Sequence, residues 1–148
     1  MIRYDYIMRM IEQMGVVIAA MLGYKKAGDS IKAEEVLENG YLHLLGVSGK
    51  FINTLSADDI VHLLNADGAD WVKISVAANL LLEDAELCAF VGNTAGAQEK
   101  ADKAMALMTR FHESAVTDDY DPAFIDMDRF RKNYDQIQPA APEHSLRD

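Results

Sequence analysis

The sequence predicts an all-α protein of five to six helices, arranged as antiparallel helix pairs in one domain. Three observations predict it. Apolar residues recur at three- and four-residue steps over most of the chain, the spacing of one helix face. No stretch sustains a two-residue alternation, so no sheet is expected. Half of the 148 residues are apolar or aromatic, and only three prolines and nine glycines interrupt them, which gives a one-domain chain material for one continuous core. The helical domain is expected over residues 1–137. Pro139 and Pro142 mark residues 138–148 as a flexible polar tail.

The first helix is read over Arg3 to Leu22, with Ile7, Met10, Ile11, Met14, Val17, Ile18 and Met21 as its stripe and Gly23 as its stop. The second runs from Ser30 to Leu45, capped by Asp29 or Ser30 and ended by Gly46. A loop follows, from which Phe51 and Ile52 tuck into the core. A short third helix spans Ala57 to Asn65, with Ser56 and Asp59 approximating a capping box. The fourth, Asp70 to Val91, is apolar on most sides and so is the central one. The fifth, Thr94 to Ala115, turns Ala97, Ala101, Ala104, Met105, Met108 and Phe111 inward. A last short helix is placed over Asp126 to Gln136.

Charge excludes some functions. A net charge of −10 argues against nucleic acid and against an anionic membrane surface, since both require clustered Lys and Arg. The balance is uneven. The first 28 residues carry Arg3, Arg9, Lys25 and Lys26 against Asp5 and Glu12, whereas residues 54–90 hold seven acids and Lys73 alone as a base. A basic first helix and an acidic middle can attract each other within or between subunits. The longest apolar run, Met14 to Tyr24, is eleven residues, short for a bilayer. Glu12 and Asp5 and the lack of an Ala-x-Ala site weigh against a signal peptide. Cys88 is the sole cysteine, which suits a reducing cytoplasm, and its apolar neighbours read it as a buried small hydrophobe.

The chain repeats itself. Gly28-Asp29-Ser30-Ile31-Lys32-Ala33 lies over Gly92-Asn93-Thr94-Ala95-Gly96-Ala97, 64 residues on. Gly40 follows Ala33 by seven residues, as Ala104 follows Ala97, and Ala85 precedes Ala97 by twelve. Small residues at these spacings let two antiparallel helices approach closely. Ala85 through Leu107 resembles a tetratricopeptide repeat well. Met21 through Leu44 resembles one loosely, with Gly40 for the usual Ala and Met21 for a small residue. The separation is near twice the usual period of ~34 residues. The opening Asp5-Tyr6-Ile7-Met8-Arg9-Met10-Ile11-Glu12, with Phe51-Ile52-Asn53 and Ser56-Ala57-Asp58-Asp59, is similar to a family of small bacterial helical proteins of unknown function with tetratricopeptide-like character. The resemblance covers residues 1–115. It implies a right-handed helical repeat in the bacterial cytoplasm and no activity.

Each stretch that suggests chemistry has a plainer reading. GVSGK at Gly46 to Lys50 fails the phosphate-loop pattern, because Leu44 stands where a Gly is needed and Phe51 where Ser or Thr would hold magnesium. Asp58 and His62 stand four apart, but a zinc site needs three or four ligands, and a solvated face is the better reading. His43 and His112 have no acid or Cys at ligand spacing. Asp118, Asp119, Asp121, Asp126 and Asp128 lack the Gly and Glu of a calcium loop. Glu83, Asp84 and Glu86 could pair as general acid and base. Without a visible partner, Asp84 and Glu86 read as an exposed or groove-lining edge. No catalytic, cofactor or metal residue is therefore assigned, and no enzyme is expected.

Some tetratricopeptide proteins clamp a peptide carboxylate with Lys, Arg and Asn. The matching positions are Asn79, Leu82, Glu83 and Glu86 on the fourth helix and Gly15, Ile18, Ala19 and Leu22 on the first. Only Asn79 fits, so no clamp is expected. The groove is apolar on the first helix, so a cover is expected: the last helix with Met127, Phe130 and Tyr134, or a second subunit. The four methionines of the first helix, Met8, Met10, Met14 and Met21, read as core packing rather than an adaptable surface. The function expected is a non-catalytic helical-repeat scaffold acting by protein–protein contact or as a homodimer. Its candidate groove and interface residues are Arg3, Arg9, Asn79, Glu83 and Glu86. The alternative is a helical bundle that binds a small apolar or cationic ligand near Trp71, Tyr41 and Phe51.

Overall fold

Every regular element among the described residues is a helix. The computed structural model describes the backbone of residues 2–65, 71–115 and 127–137, and the side chains of 5–65, 71–113 and 128–137. The order is α1 (Ile2–Lys26), α2 (Ser30–Gly40) running on through a π-helical turn (Tyr41–Leu45), α3 (Gly49–Thr54), α4 (Ala57–Leu64), α5 (Trp71–Phe90), α6 (Thr94–Ala115) and α7 (Met127–Ile137). That is seven helices rather than five to six. The tail at 138–148, the acids at 118–126 and His144 lie outside the described residues.

The helix not anticipated is α3. Ser48 caps it, its hydroxyl accepting from the Phe51 N–H at 3.1 Å. It is six residues long and buries Gly49 and Ile52 alone, too short to show a periodic stripe. Ile52 is in the core, as expected, whereas Phe51 is 47% exposed, on the outer side of this turn. The first helix also continues past Gly23 to Lys26.

The two junctions that share sequence share a hydrogen-bond pattern. After α1, Gly28 takes φ +74°, its N–H bonds Lys25 O, and the Asp29 N–H bonds Tyr24 O. After α5, Gly92 takes φ +90°, its N–H bonds Ala89 O, and the Asn93 N–H bonds Cys88 O. This left-handed ending favours glycine and satisfies carbonyls that a helix end leaves open. In both, the next residue starts the following helix. The Asp29 carboxylate accepts from Lys32 N–H, and the Asn93 amide oxygen from Gly96 N–H, each at 3.0 Å.

α5 is the centre. Thirteen of its twenty residues are buried, and it packs on α1, α2, α4, α6 and α7, most extensively on α6. Ala97, Ala101 and Ala104 of α6 are buried, as their spacing predicts. Gly40 fits a close approach of α1, α2 and α5: a Cβ there would lie 3.1 Å from a methyl of Val17 and 3.7 Å from Leu80. Residues 5–26 of α1 are apolar and long enough to cross a membrane by length and composition. In this fold Ile7, Met10, Met14 and Met21 of that stretch are buried in the core, while Val16 and Leu22 are exposed.

Candidate functional site: a cleft above a buried carboxylate network

Asp84 is the anchor of the site. It sits mid-way along α5, only 8% exposed, among leucines. A carboxylate in such a place must be bonded on all sides. Its Oδ2 accepts from the Tyr41 hydroxyl at 3.0 Å and from the Asn53 amide at 3.2 Å. Its Oδ1 accepts from the Lys100 ammonium at 2.8 Å. Of the exposed or groove-lining edge expected at Asp84, the first is corrected: Asp84 is buried, borders a cleft, and takes its partners from three other elements.

Each partner is placed by its own element. Tyr41 opens the π turn and is fully buried. Asn53, on α3, also donates to Gly49 O at 2.8 Å, and the Lys103 ammonium reaches Asn53 O at 3.2 Å. Gly49, first residue of α3, donates its N–H to both oxygens of Glu38, at 3.0 and 3.2 Å. An acid here faces the positive end of a short helix. Gly49 must be glycine for a second reason: a Cβ would stand 2.5 Å from the Tyr41 ring. The GVSGK segment therefore meets a carboxylate of its own chain where a phosphate loop would hold phosphate.

The electrostatics follow. Burial, then the charge and hydrogen bond of Asp84, hold the Tyr41 phenol well above its ordinary range. Burial works to lower the Lys100 ammonium, and the hydrogen bond and charge of Asp84 outweigh it, so the net shift is upward. Both donors thus stay protonated. Cys88 is half-buried on the wall of the cleft rather than in the core, because the last turn of α5 projects beyond the packed bundle. Burial raises its thiol more than nearby Lys100 lowers it.

Over this network lies an open cleft of about 740 Å³. One wall is α2, with Ile31, Glu34 and Glu35. The other is the end of α5, with Leu87 and Val91. Ile31 is 73% exposed and Val91 56%. Of the three aromatic residues considered for a ligand pocket, Tyr41 alone borders the cleft, while Phe51 and Trp71 do not.

A second, smaller cavity of about 180 Å³ lies between α1, α5 and α7. Here two of the sequence-derived groove residues meet. Asn79 and Glu83 border it, with Gly15 and Ile18 of α1 and Phe130 of α7. Asn79 spends its amide on Ser75 O of its own helix, at 2.9 Å. Glu83 is 6% exposed, and Lys25 lies 3.7 Å from it and 3.6 Å from Glu86. Burial first, then Glu86, push the Glu83 carboxyl up to about 7, against Lys25 and Arg129. The basic first helix does meet the acidic middle within one chain, through Lys25. Arg9 is exposed on α1 and borders neither cavity, and the side chain of Arg3 lies outside the described residues. The C-terminal helix supplies part of the expected cover.

Asp58 and His62 do not form a metal pair. The His62 ring bonds the Asp58 backbone carbonyl, and the Asp58 carboxylate pairs with Arg110. No group of three metal-ligating side chains occurs among the described residues.

Sequence reasoning does not single out Asn53, Lys100 and Glu38 as site residues, and it names Asp84 and Tyr41 without joining them. The available signal was a carboxylate flanked by Leu80, Leu81, Leu82 and Leu87, a place where an unpaired charge is costly. No protein-family model, curated protein or solved structure matches this chain.

Proposed function

We propose that this protein is a non-catalytic helical scaffold that binds a protein partner, another protein or a second copy, in the cleft between α2 and α5. The observation that carries the reading is the pairing of a rigid floor with a free rim. Tyr41, Asn53 and Lys100 each donate to Asp84, whose two oxygens both accept, so the floor is a brace. The rim exposes Ile31 and Val91 beside Glu34 and Glu35, apolar anchors with charge at their edge, as protein interfaces have. A saturated carboxylate and a thiol held protonated suit binding rather than proton transfer or nucleophilic attack.

The tetratricopeptide-like repeat belongs to the same reading. Two matching junctions support it, as does the order of packing, in which α1 meets α2 and α5 while α5 meets α6. In it α1–α2 and α5–α6 are antiparallel pairs, α3–α4 are inserted between them, and α7 follows the second pair.

A photo-crosslinking residue at Ile31 or Val91, with Arg9 as the control position, tests the proposal in cells that make the protein. A single adduct from the cleft positions, lost on Ile31→Asp, is expected. A folded chain with no adduct from either position overturns it. A second reading, a small-molecule site, is favoured by the volume, which lies in the range of ligand pockets. Native mass spectrometry that finds a retained small molecule, displaced by filling the cleft with Cys88→Trp, would select it.

A further inference from the structure

The seat of α7 carries an inference independent of the cleft. α7 is held by few side chains. Phe130 is buried, at 3% exposure, and Tyr134 and Ile137 pack partly against the core. Positions 130, 134 and 137 are the i, i+4, i+7 anchors of an amphipathic helix lying in a groove. The Tyr134 hydroxyl adds one bond, to Asp102 of α6 at 2.8 Å. Between these anchors the helix exposes Arg131, Lys132, Asp135 and Gln136.

α7 does not fill its seat: a partly open crevice of about 180 Å³ lies between α7, α1 and α5, with Met14 and Ile18 on one side and the half-buried Asn133 on the other. A helix with an apolar residue in place of Asn133 would fill it. At the same place Glu83 is buried on α5, and Arg129, one residue before Phe130, stabilises its charge.

We propose that the seat of α7 is a helix-receiving groove that takes, from a partner protein, an amphipathic helix with an aromatic anchor, a cation one residue before it and an apolar residue three after it; α7 is the built-in competitor. A tethered helix competes at an effective concentration in the millimolar range, so the partner helix must bind well below that.

The test uses the full chain carrying Phe130→Glu, which unseats α7, and a labelled synthetic peptide of residues 126–138. Fluorescence anisotropy should show the peptide binding this variant at least ten-fold more tightly than the unaltered chain. Binding should be lost when the peptide carries Phe130→Ala and should strengthen when it carries Asn133→Leu. Equal binding to both chains, with circular dichroism showing the variant still helical, overturns the proposal. If Phe130→Glu loses helix, the double variant Tyr134→Phe, Ile137→Ser serves instead, and a peptide affinity no higher than for the unaltered chain overturns it equally. A dimer of the unaltered chain that Phe130→Glu abolishes would supports the groove and identify the trans helix as a second copy's α7.

Discussion

Glu83 and Asp84 are neighbours on one helix, equally hidden from water, and their environments are opposite. Asp84 turns to α2, α3 and α6 and receives a hydroxyl, an amide and an ammonium within 3.2 Å. Glu83 turns to α1 and α7, where the Lys25 ammonium lies 3.7 Å from it. Burial, with Glu86 beside it, pushes the Glu83 carboxyl up to about 7. A buried acid stabilises a fold only where donors reach it.

Removing the better-served acid should have the largest effect. Asp84→Ala leaves Tyr41, Asn53 and Lys100 without their shared acceptor, and urea denaturation should show a loss of about 3 kcal/mol. A loss below about 1 kcal/mol would mean that the network is not a brace.

The opposite sign is expected at Glu83. Its folded value, about 7, lies above the ordinary 4.5, so the folded chain holds the extra proton between these values. The stability this confers is fully present below about pH 4.5 and is lost as pH rises through about 7. Glu83→Gln resembles the protonated acid and leaves Glu86 to pair with Lys25. It should stabilise the protein by about 2 kcal/mol at pH 8. Melting curves should show that gain vanish by pH 4.5. A gain independent of pH would break the comparison.

Tyr41→Phe sharpens it at smaller cost. It removes one of the carboxylate's three donors while keeping the ring over Gly49, and about 1.5 kcal/mol should be lost. In the Asp84→Ala background the same change should cost much less, since the bond is already gone, and a double-mutant cycle reads the coupling.

What the sequence reveals follows from range. The long helices and their buried faces are legible, because three- and four-residue spacing is local, and so are both capped junctions, where Gly28 and Gly92 precede Asp29 and Asn93. Gly23 competes as a stop for α1, but Tyr24, Lys25 and Lys26 continue the helix and the left-handed turn falls at Gly28. The site is not legible. Tyr41 and Asn53 lie 43 and 31 residues from Asp84, and no spacing rule connects a tyrosine in a π turn to a carboxylate three helices on. Asn79 and Glu83 border the cavity beside α1, and Lys25 is the α1 cation paired with Glu83.

The short link between α5 and α6 joins the two most extensively packed helices. Their contacts are close in sequence, so they close small loops and can form within the earliest folding events. The Asp84 bonds to Tyr41 and Asn53 close only when α2 and α3 arrive from far along the chain. They are a late lock on early local contacts. Weakening that lock should speed unfolding and leave the folding rate nearly unchanged, so the lifetime of the native state, more than the speed of reaching it, rests on Asp84.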